Sequence, residues 1–220
     1  MPPAVIMVRQ PAAHNFGGRF LFMVSDGYKF VIPLLILAGL SALLHPVFMM
    51  ILAALAAFTM FFFRNPNRKI PDGENLIVSP ADGKVVKISK DENGEQTLCI
   101  FLNVFNVHVT RAPIAGSIAR FEYKRGKFKV AFDDEASYVN EQNIVTFAGA
   151  DLSLVVKQVA GLIARRVICW KKPGETVGRG DLFGLIRFGS RVDMVMPARV
   201  NIRVKVGDKV RGGSSIIGDY

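Results

Sequence analysis

Cysteine and histidine, the residues that most often hold metals in proteins, are scarce in this sequence. Its 220 residues include two cysteines and three histidines. Cys99 and Cys169 lie in separate strand-like runs without metal-ligand spacing, so we expect two buried, reduced thiols and no metal site. The N-terminus has no apolar segment followed by a small-residue cleavage site, which predicts that no signal peptide is removed.

Acidic residues are also in deficit. Lysine and arginine number 28 against 18 aspartates and glutamates, which gives a formal net charge of +10. This balance favours an anionic partner, namely a nucleic acid, an anionic membrane surface or a phosphorylated substrate. Because the sequence has no zinc knuckle, RNP aromatic pair or basic helix, we expect no nucleic acid among its partners.

Charge is absent altogether between residues 30 and 63. Two apolar runs, 30–44 and 47–63, are separated by His45-Pro46, and proline discourages one continuous helix. The runs predict a hydrophobic helical hairpin within an N-terminal membrane-associated segment, 1–69. The two helices would reach roughly 22 and 26 Å, short of the ~30 Å hydrocarbon core of a bilayer.

Three interpretations of this hairpin remain open: a pair of short transmembrane helices, a hairpin that enters one leaflet, and, less favoured, a hairpin buried in a soluble domain. Basic residues flank it on both sides, with Lys29 before it and Arg64, Arg68 and Lys69 after it. The positive-inside rule then places both ends in the cytoplasm. We therefore expect a protein of the cell membrane, at its cytoplasmic face.

Beyond Lys69 the hydrophobic pattern becomes that of strands. Short apolar runs are separated by glycines and by Asp-Gly and Asn-Gly pairs, which are turn signals. They predict a mainly β catalytic domain over 70–220, a sandwich or barrel with at most one short helix. The predicted strands lie at 76–78, 84–88, 97–102, 117–123, 127–132, 144–147 and 152–159.

The second half of this domain contains a pseudo-repeat. Residues 172–181 and 206–213 each read as a strand, a turn of glycine and an acidic residue, and then Val-x-x-Gly. The pattern resembles the hammerhead of biotinyl/lipoyl-type sandwich domains. A carrier of that kind needs an exposed lysine at a hairpin tip, and at the matching tip, Met194-Val195-Met196, valine takes its place. We therefore expect the fold without the carrier function.

The pair Gly189-Ser190, between two strand-like runs, is a candidate for self-cleavage. A serine can attack the carbonyl of the residue before it, and glycine leaves that carbonyl unshielded. The resulting ester can undergo β-elimination and hydrolysis, which turn the serine into a pyruvoyl group. A rival pair, Gly213-Ser214, would leave only residues 214–220, too few to hold a cofactor in a core. Ser190 is therefore the favoured site.

A serine nucleophile needs a base, and His108 is the only histidine of the β domain. We predict that His108 takes the hydroxyl proton, and that Asp82 fixes the tautomer of His108 and stabilises its cation. Each residue alone also fits a structural role, in a hairpin for His108 and in an Asp-Gly turn for Asp82.

Together these motifs resemble phosphatidylserine decarboxylases of the short bacterial and archaeal type, over roughly residues 20–220. The matching segments are Phe62 to Pro66, Ser79 to Val85, Phe105 to Pro113, Asn140-Glu141, Gln158 to Gly161 with Ala164 to Arg166, and Arg187 to Pro197. The resemblance implies self-cleavage into a β chain, 1–189, and an α chain, 190–220, that stay associated. It also implies a covalent pyruvoyl cofactor made from Ser190, which forms a Schiff base with the amine of phosphatidylserine and accepts the electrons left by CO2.

One departure from the family pattern affects the site. Longer members carry two histidines three residues apart, whereas here His108 matches the first and Arg111 stands in place of the second. Either His108 serves both processing and decarboxylation, first as base and then as general acid, or another group supports one step. Arg111 and Arg187 are candidates for binding the phosphodiester of the anionic phospholipid, although both also fit solvated surface charges.

Two other classes of function stay open. A membrane-anchored adaptor built on a biotinyl-like sandwich would need no self-cleavage, but such adaptors usually carry a long coiled coil, and the sequence has no heptad run. A membrane-anchored hydrolase would use Asp82, His108 and Ser190 as an ordinary triad and would leave the chain intact.

Overall fold

The computed structural model describes residues 22–126, 140–161, 166–187 and 190–220. In these ranges the chain is mainly β, as predicted, and its helices lie near its start. The predicted strand at 127–132 and the predicted cut-site residue Gly189 lie outside the described residues. The helices are α1 (Ser25–Ser41) and α2 (Pro46–Phe62). The strands are β1 (Leu76–Val78), β2 (Gly83–Lys90), β3 (Gln96–Leu102), β4 (Val109–Arg111), β5 (Gly116–Lys124), β6 (Gln142–Ala148), β7 (Ser153–Val159), β8 (Val167–Cys169), β9 (Thr176–Val177), β10 (Leu182–Ile186), β11 (Ser190–Met196), β12 (Asn201–Ile202), β13 (Lys209–Val210) and β14 (Ile216–Asp219).

Both apolar runs form helices, each 17 residues long. α2 begins close to the predicted place because Pro46 suits the first helical turn, and because His45 Nδ1 accepts a hydrogen bond from Val47 N–H at 3.2 Å. α1 begins before the predicted start at residue 30. Its first turn contains Asp26 and Gly27, which are buried although the sequence is not apolar there. Among the residues described, no helix is both long and apolar enough to cross a membrane.

The helical pair is attached to the β strands at one end. Met23 and Arg64 form an isolated antiparallel bridge, and Val24 N–H donates to the carbonyl of Phe63 at 3.0 Å. At the opposite end, the turn between the helices leaves Leu43 and Leu44 86% and 84% exposed. An apolar cluster packs the attached end against the strands, and it contains Met23, Val24, Val31, Phe62, Phe63, Val107, Val109, Trp170 and Leu185.

Within the described residues, the β part consists of three antiparallel sheets. The large sheet has the order β13-β2-β3-β11-β7-β6-β5-β9, and the smaller sheets have the orders β4-β10-β8 and β1-β14-β12. β11 lies inside the large sheet, paired with β3 on one side and with β7 on the other. Its alternate residues Val192, Met194 and Met196 belong to the main apolar core. Because side chains alternate along a strand, Ser190 points to the same face as these core residues.

The pseudo-repeat is visible in the backbone. β9 and β13 are its equivalent strands, and the glycines at matched positions have positive φ, +88° and +85° at Gly174 and Gly180, and +103° and +78° at Gly207 and Gly213. The two repeats also meet, since a Cβ on Gly213 would lie 3.6 Å from the Cα of Gly180. The likeness to a biotinyl/lipoyl-type sandwich stays a prediction.

The predicted hairpin tip at Met194-Val195-Met196 is wrong. These residues lie within β11, and Val195 pairs with Thr97 of β3 and with Val155 of β7. Both methionines are fully buried. The Met-x-Met pattern therefore reflects the inward face of a central strand.

Gly184 in β10 lies against a buried chain of polar side chains. Asn143 Nδ2 donates to Gln158 Oε1 at 2.9 Å, and Gln158 Nε2 donates to Thr110 Oγ1 at 2.8 Å. A Cβ on Gly184 would lie 2.6 Å from Gln158 Nε2 and would overlap the carbonyl oxygen of Ile168. We expect Gly184→Ala to destabilise the fold by about 1–3 kcal/mol.

Thermal unfolding followed by circular dichroism measures this effect, because each kcal/mol lowers Tm by roughly 2–4 °C in a chain of this size. Gly39→Ala in α1 is the matched control. A Cβ there meets nothing within 4 Å, and alanine favours the helix, so Tm should hold or rise. Equal melting temperatures for Gly184→Ala and the wild type would contradict the prediction.

Candidate active site

Ser190 begins β11 and is fully buried. It pairs with Leu102 of β3, and the pairing of Arg191 with Val159 places Ala160 beside it on the other side. Within the described part of the chain, its Oγ has no hydrogen-bond partner. Such a hydroxyl is an exception among buried polar groups, which are nearly always bonded. Its neighbours Phe188 and Gly189 lie outside the described residues.

His108 lies beside the last residue of β10, the strand that precedes Ser190 in the sequence. Its carbonyl accepts a hydrogen bond from Ile186 N–H at 3.1 Å, and Ile186 ends β10. The four residues from Ile186 to Ser190 span at most about 14 Å, which limits how far Ser190 can lie from the end of β10. The imidazole is fully buried, and its centroid lies 4.2 Å from that of the Phe62 ring at the end of α2.

The hydrogen bond at Nδ1 defines the tautomer of His108. Nδ1 lies 2.9 Å from the carbonyl oxygen of Asn106, and because a carbonyl can only accept, Nδ1 carries the proton. In the neutral ring the lone pair is then on Nε2, which is buried without a partner among the described residues. Burial lowers the pKa of His108 to about 4, although the Asn106 carbonyl raises it, and Arg64 lowers it further. The imidazole is thus neutral at physiological pH, as a proton acceptor must be.

Asp82 is not bonded to His108, which differs from the predicted arrangement. Its carboxylate accepts hydrogen bonds from Arg68 Nη2 at 2.7 and 2.9 Å and from Gly212 N–H at 2.8 Å. The backbone carbonyl of Asn106 orients the imidazole instead, so the predicted role of Asp82 in fixing the tautomer is wrong for this structure. Asp82 nevertheless stays close to the site, because Lys84 pairs with Phe101 and so places Gly83 beside Leu102, the partner of Ser190.

The two candidate arginines differ in what holds them. Arg111 donates from Nη1 to the Gly180 carbonyl at 2.9 Å, and from Nη2 to Asn65 Oδ1 at 2.6 Å and to the Pro66 carbonyl at 3.2 Å. Burial lowers its pKa to about 10. Because both Nη groups are occupied by protein carbonyl oxygens, Arg111 fastens the segment after α2 to the pseudo-repeat.

Arg187 keeps more of its donors available. Its guanidinium lies 5.1 Å from the centre of the Phe30 ring, and its Nη2 is 3.9 Å from the Asp26 carboxylate, beyond hydrogen-bond length. Nε is buried without a partner among the residues described. Burial lowers the pKa of Arg187, while Asp26 raises it. An arginine with unused donors, three residues before Ser190, is suited to an anionic group.

Sequence reasoning gave no role to Glu141 or to Arg68. Glu141 belongs to one of the segments that match the family pattern, and its side chain is buried. Arg68 was taken only as a flanking charge, yet it neutralises Asp82. The sequence does contain a sign of the polar chain formed by Asn143, Gln158 and Thr110. Asn143 and Gln158 are polar residues at inward positions of strands whose other inward positions are apolar.

Comparison with known proteins agrees with the resemblance seen in the sequence. The family model described as Phosphatidylserine decarboxylase matches residues 55–218. A protein of Solibacter usitatus is 50% identical over 196 residues, which cover 89% of this chain and 95% of that protein. Proteins of Syntrophus aciditrophicus and Citrifermentans bemidjiense are 43% and 44% identical, over 86% and 88% of this chain and 95% and 94% of their own lengths. All three are named phosphatidylserine decarboxylase proenzyme. The chain belongs to the phosphatidylserine decarboxylase family.

Proposed function

We propose that this protein is a pyruvoyl-dependent phosphatidylserine decarboxylase that is made as a proenzyme and cuts itself between Gly189 and Ser190. The observation that carries the proposal is the pair of buried, unpartnered atoms at the site. Ser190 Oγ supplies a nucleophile, and His108 Nε2 supplies a neutral base beside the end of β10; neither atom has a hydrogen-bond partner among the described residues. The substrate is phosphatidylserine, and the products are phosphatidylethanolamine and CO2.

Self-cleavage follows from these two groups. His108 Nε2 takes the hydroxyl proton as Ser190 Oγ attacks the carbonyl carbon of Gly189. The C–N bond between the two residues breaks, the nitrogen takes up the proton, and an ester remains. Loss of the Ser190 α-proton then breaks the Cβ–O bond and releases Gly189 as a carboxylate. Water replaces nitrogen in the dehydroalanine that is left, which yields the pyruvoyl group and ammonia.

The surroundings of Ser190 fit a pyruvoyl group. The position is buried between Leu102 and Ala160, and no described residue donates to its oxygen. When present, the group supplies a carbonyl that condenses with the substrate amine and withdraws the electrons left by CO2. The chain from 190 onward is held by β11 between β3 and β7, by β13 on β2 and by β14 on β1. These pairings support an α chain that stays bound after the cut.

Arg187 is the residue that we assign to the phosphodiester. Four bonds join the serine nitrogen of the head group to phosphorus, a span of about 5 Å, while Arg187 and Ser190 are at most about 11 Å apart along the chain. An arginine side chain can therefore contact the phosphate while the amine is at residue 190. Arg111, whose Nη groups are occupied, acts in our proposal on the fold rather than on the substrate.

We place the protein on the cytoplasmic face of the cell membrane, with the helical pair in contact with lipid. Support comes from the apolar side chains that the pair exposes, because monomeric soluble proteins rarely expose large apolar patches. They include Ile36, Leu40, Leu43, Leu44, Phe48, Met50 and Ile51, each more than half exposed. Lys29 and Arg64 at the attached end would lie near anionic head groups.

The tip of the helical pair provides a test of membrane contact. We expect the double variant Leu43→Glu/Leu44→Glu to bind vesicles of phosphatidylserine and phosphatidylglycerol at least about tenfold more weakly, because each charge costs up to about 3 kcal/mol in hydrocarbon. Sedimentation with the vesicles measures binding. Val206→Glu is the control, since Val206 is 57% exposed in the β part. Equal binding by the double variant and the control would contradict the proposed contact.

Intact-mass spectrometry of the purified full-length protein tests the proposed function. A fragment that begins at residue 190 with a blocked, pyruvoyl N-terminus, together with CO2 release from phosphatidylserine in detergent micelles, is the expected result. A single uncut species that still releases CO2 would overturn it. The adaptor and the ordinary hydrolase both require an intact chain, so the same measurement separates them from the decarboxylase.

A further inference from the structure

Glu141 lies on the same ladder row as Ser190. Arg191 pairs with Val159, and Val159 pairs with Gln142, so the next row contains Ser190, Ala160 and Glu141. A hydrogen bond of 2.9 Å from Ala160 N–H to the Glu141 carbonyl continues this row. Residues in one row project to the same face of a sheet, and two strand spacings amount to about 10 Å. Glu141 is therefore on the inward face that carries Ser190.

The carboxylate of Glu141 also contacts the small sheet. It accepts hydrogen bonds from the Tyr123 hydroxyl and from Val167 N–H. Val167 begins β8 and pairs with Ile186 of β10, whose N–H donates to the carbonyl of His108. Val167 and Ile186 thus connect the carboxylate of Glu141, which shares the inward face of Ser190, to the backbone of His108.

The surroundings shift these two groups in opposite directions. Burial lowers the pKa of His108 to about 4, which suits a base and makes it a poor proton donor at neutral pH. Burial raises the pKa of Glu141, against the lowering effects of Tyr123, the Val167 N–H, Arg166 and Arg125. Both shifts favour the neutral form of each group, which for His108 can accept a proton and for Glu141 can donate one.

We propose that Glu141 is the general acid of the decarboxylation, and that His108 serves the self-cleavage. The inference rests on the proposed function. It assigns to Glu141 the step for which this chain has no second histidine. When the bond between the substrate's α-carbon and its carboxylate breaks, CO2 leaves and the α-carbon takes the proton from the Glu141 carboxylic acid. The Glu141 carboxylate then regains a proton from solvent.

Glu141→Gln separates the two reactions. We expect the variant to cut itself as the wild type does, as seen by intact mass, and to release CO2 about 100-fold more slowly with little change in KM, the usual contribution of a general acid. Glu122→Gln is the matched control, because Glu122 lies on β5 beside Tyr123 and is half-exposed with Arg120 as its partner. It should behave as the wild type in both reactions.

The pH profile distinguishes an acid from a merely structural residue. Because the acid must be protonated, kcat of the wild type should fall as pH rises above the pKa of Glu141, and Glu141→Gln should lose this fall. Tyr123→Phe removes a donor that stabilises the carboxylate, so the fall should move to higher pH.

Three results would overturn the inference: a Glu141→Gln variant that stays uncut, one that decarboxylates at the wild-type rate, and a Tyr123→Phe profile that coincides with the wild type. Failure of the proposed function is distinguishable, since the wild type itself would then remain uncut or release no CO2.

Discussion

Ser190→Ala is expected to yield a single uncut chain without decarboxylase activity. In our proposal the hydroxyl is both the nucleophile of the cut and the source of the cofactor, so its loss should remove both functions. The fold should survive, because alanine fills the same buried place between Leu102 and Ala160 and the unpartnered hydroxyl contributes no hydrogen bond to the described residues. Intact mass shows the missing cut, and CO2 release from phosphatidylserine shows the loss of activity.

Ser214→Ala is the matched control for this prediction. Gly213-Ser214 is the rival pair in the sequence, and in the structure it belongs to the turn between β13 and β14, where Ser214 N–H donates to the Arg211 carbonyl at 3.0 Å. The control should be cut and active. An uncut Ser214→Ala variant, or a Ser190→Ala variant that is still cut, would move the cleavage site away from residue 190.

His108→Asn should block self-cleavage while keeping the fold. The asparagine amide can occupy the place of Nδ1 and donate to the Asn106 carbonyl, but it has no lone pair at the position of Nε2 to take the serine proton. Loss of a general base slows such a step by about 100-fold to 10,000-fold. His45→Asn is the matched control, because asparagine caps a helix well and His45 caps α2. The control should be cut at the wild-type rate, as followed by gel or mass over time.

The low pKa of His108 also predicts two pH dependences. The cutting rate should be level above about pH 5.5 and should fall only as the pH approaches 4. Between the unfolded value of about 6.5 and the folded value of about 4, the unfolded chain binds a proton at this residue and the folded chain does not.

Stability is therefore lost as the pH falls through that window, by up to about 3 kcal/mol for this one group. Urea unfolding at pH 7 and pH 4.5 measures the loss, which should be smaller in His108→Asn. A cutting rate that rises with a midpoint near pH 6.5 would show that the imidazole is not buried in the way described.

Local patterns were sufficient for the elements of the fold. The apolar runs around His45-Pro46 predicted two helices, and alternation with glycine-rich turns predicted strands. The start of α1 was missed because the reason for it is distant: Asp26 is buried where Trp170 Nε1 donates to it at 3.1 Å. Only the folded chain brings Trp170, the residue after β8, to the first turn of α1.

For the site as well, the sequence predicts residue types in local motifs but not the contacts between distant segments. Gly189-Ser190 and His108 were predicted because self-cleavage requires those residue types, and their roles stay predictions. The partner of His108 could not be predicted, because the carbonyl of Asn106 is a backbone group that any residue would supply. Asp82 was misassigned to His108 since its pairing with Arg68 depends on the path of the chain after α2. Glu141 gave no chemical signal until the register placed it beside Ala160.

The position of β11 inside the large sheet implies that the protein must fold before it is cut. In the proposed processing, the chain joins β11 to β10 before the cut, and afterwards only pairing and packing would hold residues 190–220 in place. Unfolding of the processed protein then releases two separate molecules, and their reassembly depends on concentration. The released α chain is also no longer joined to β10, so its insertion between β3 and β7 becomes an association of two molecules. Thermal unfolding of the processed protein should therefore be irreversible, whereas that of uncut Ser190→Ala should be reversible.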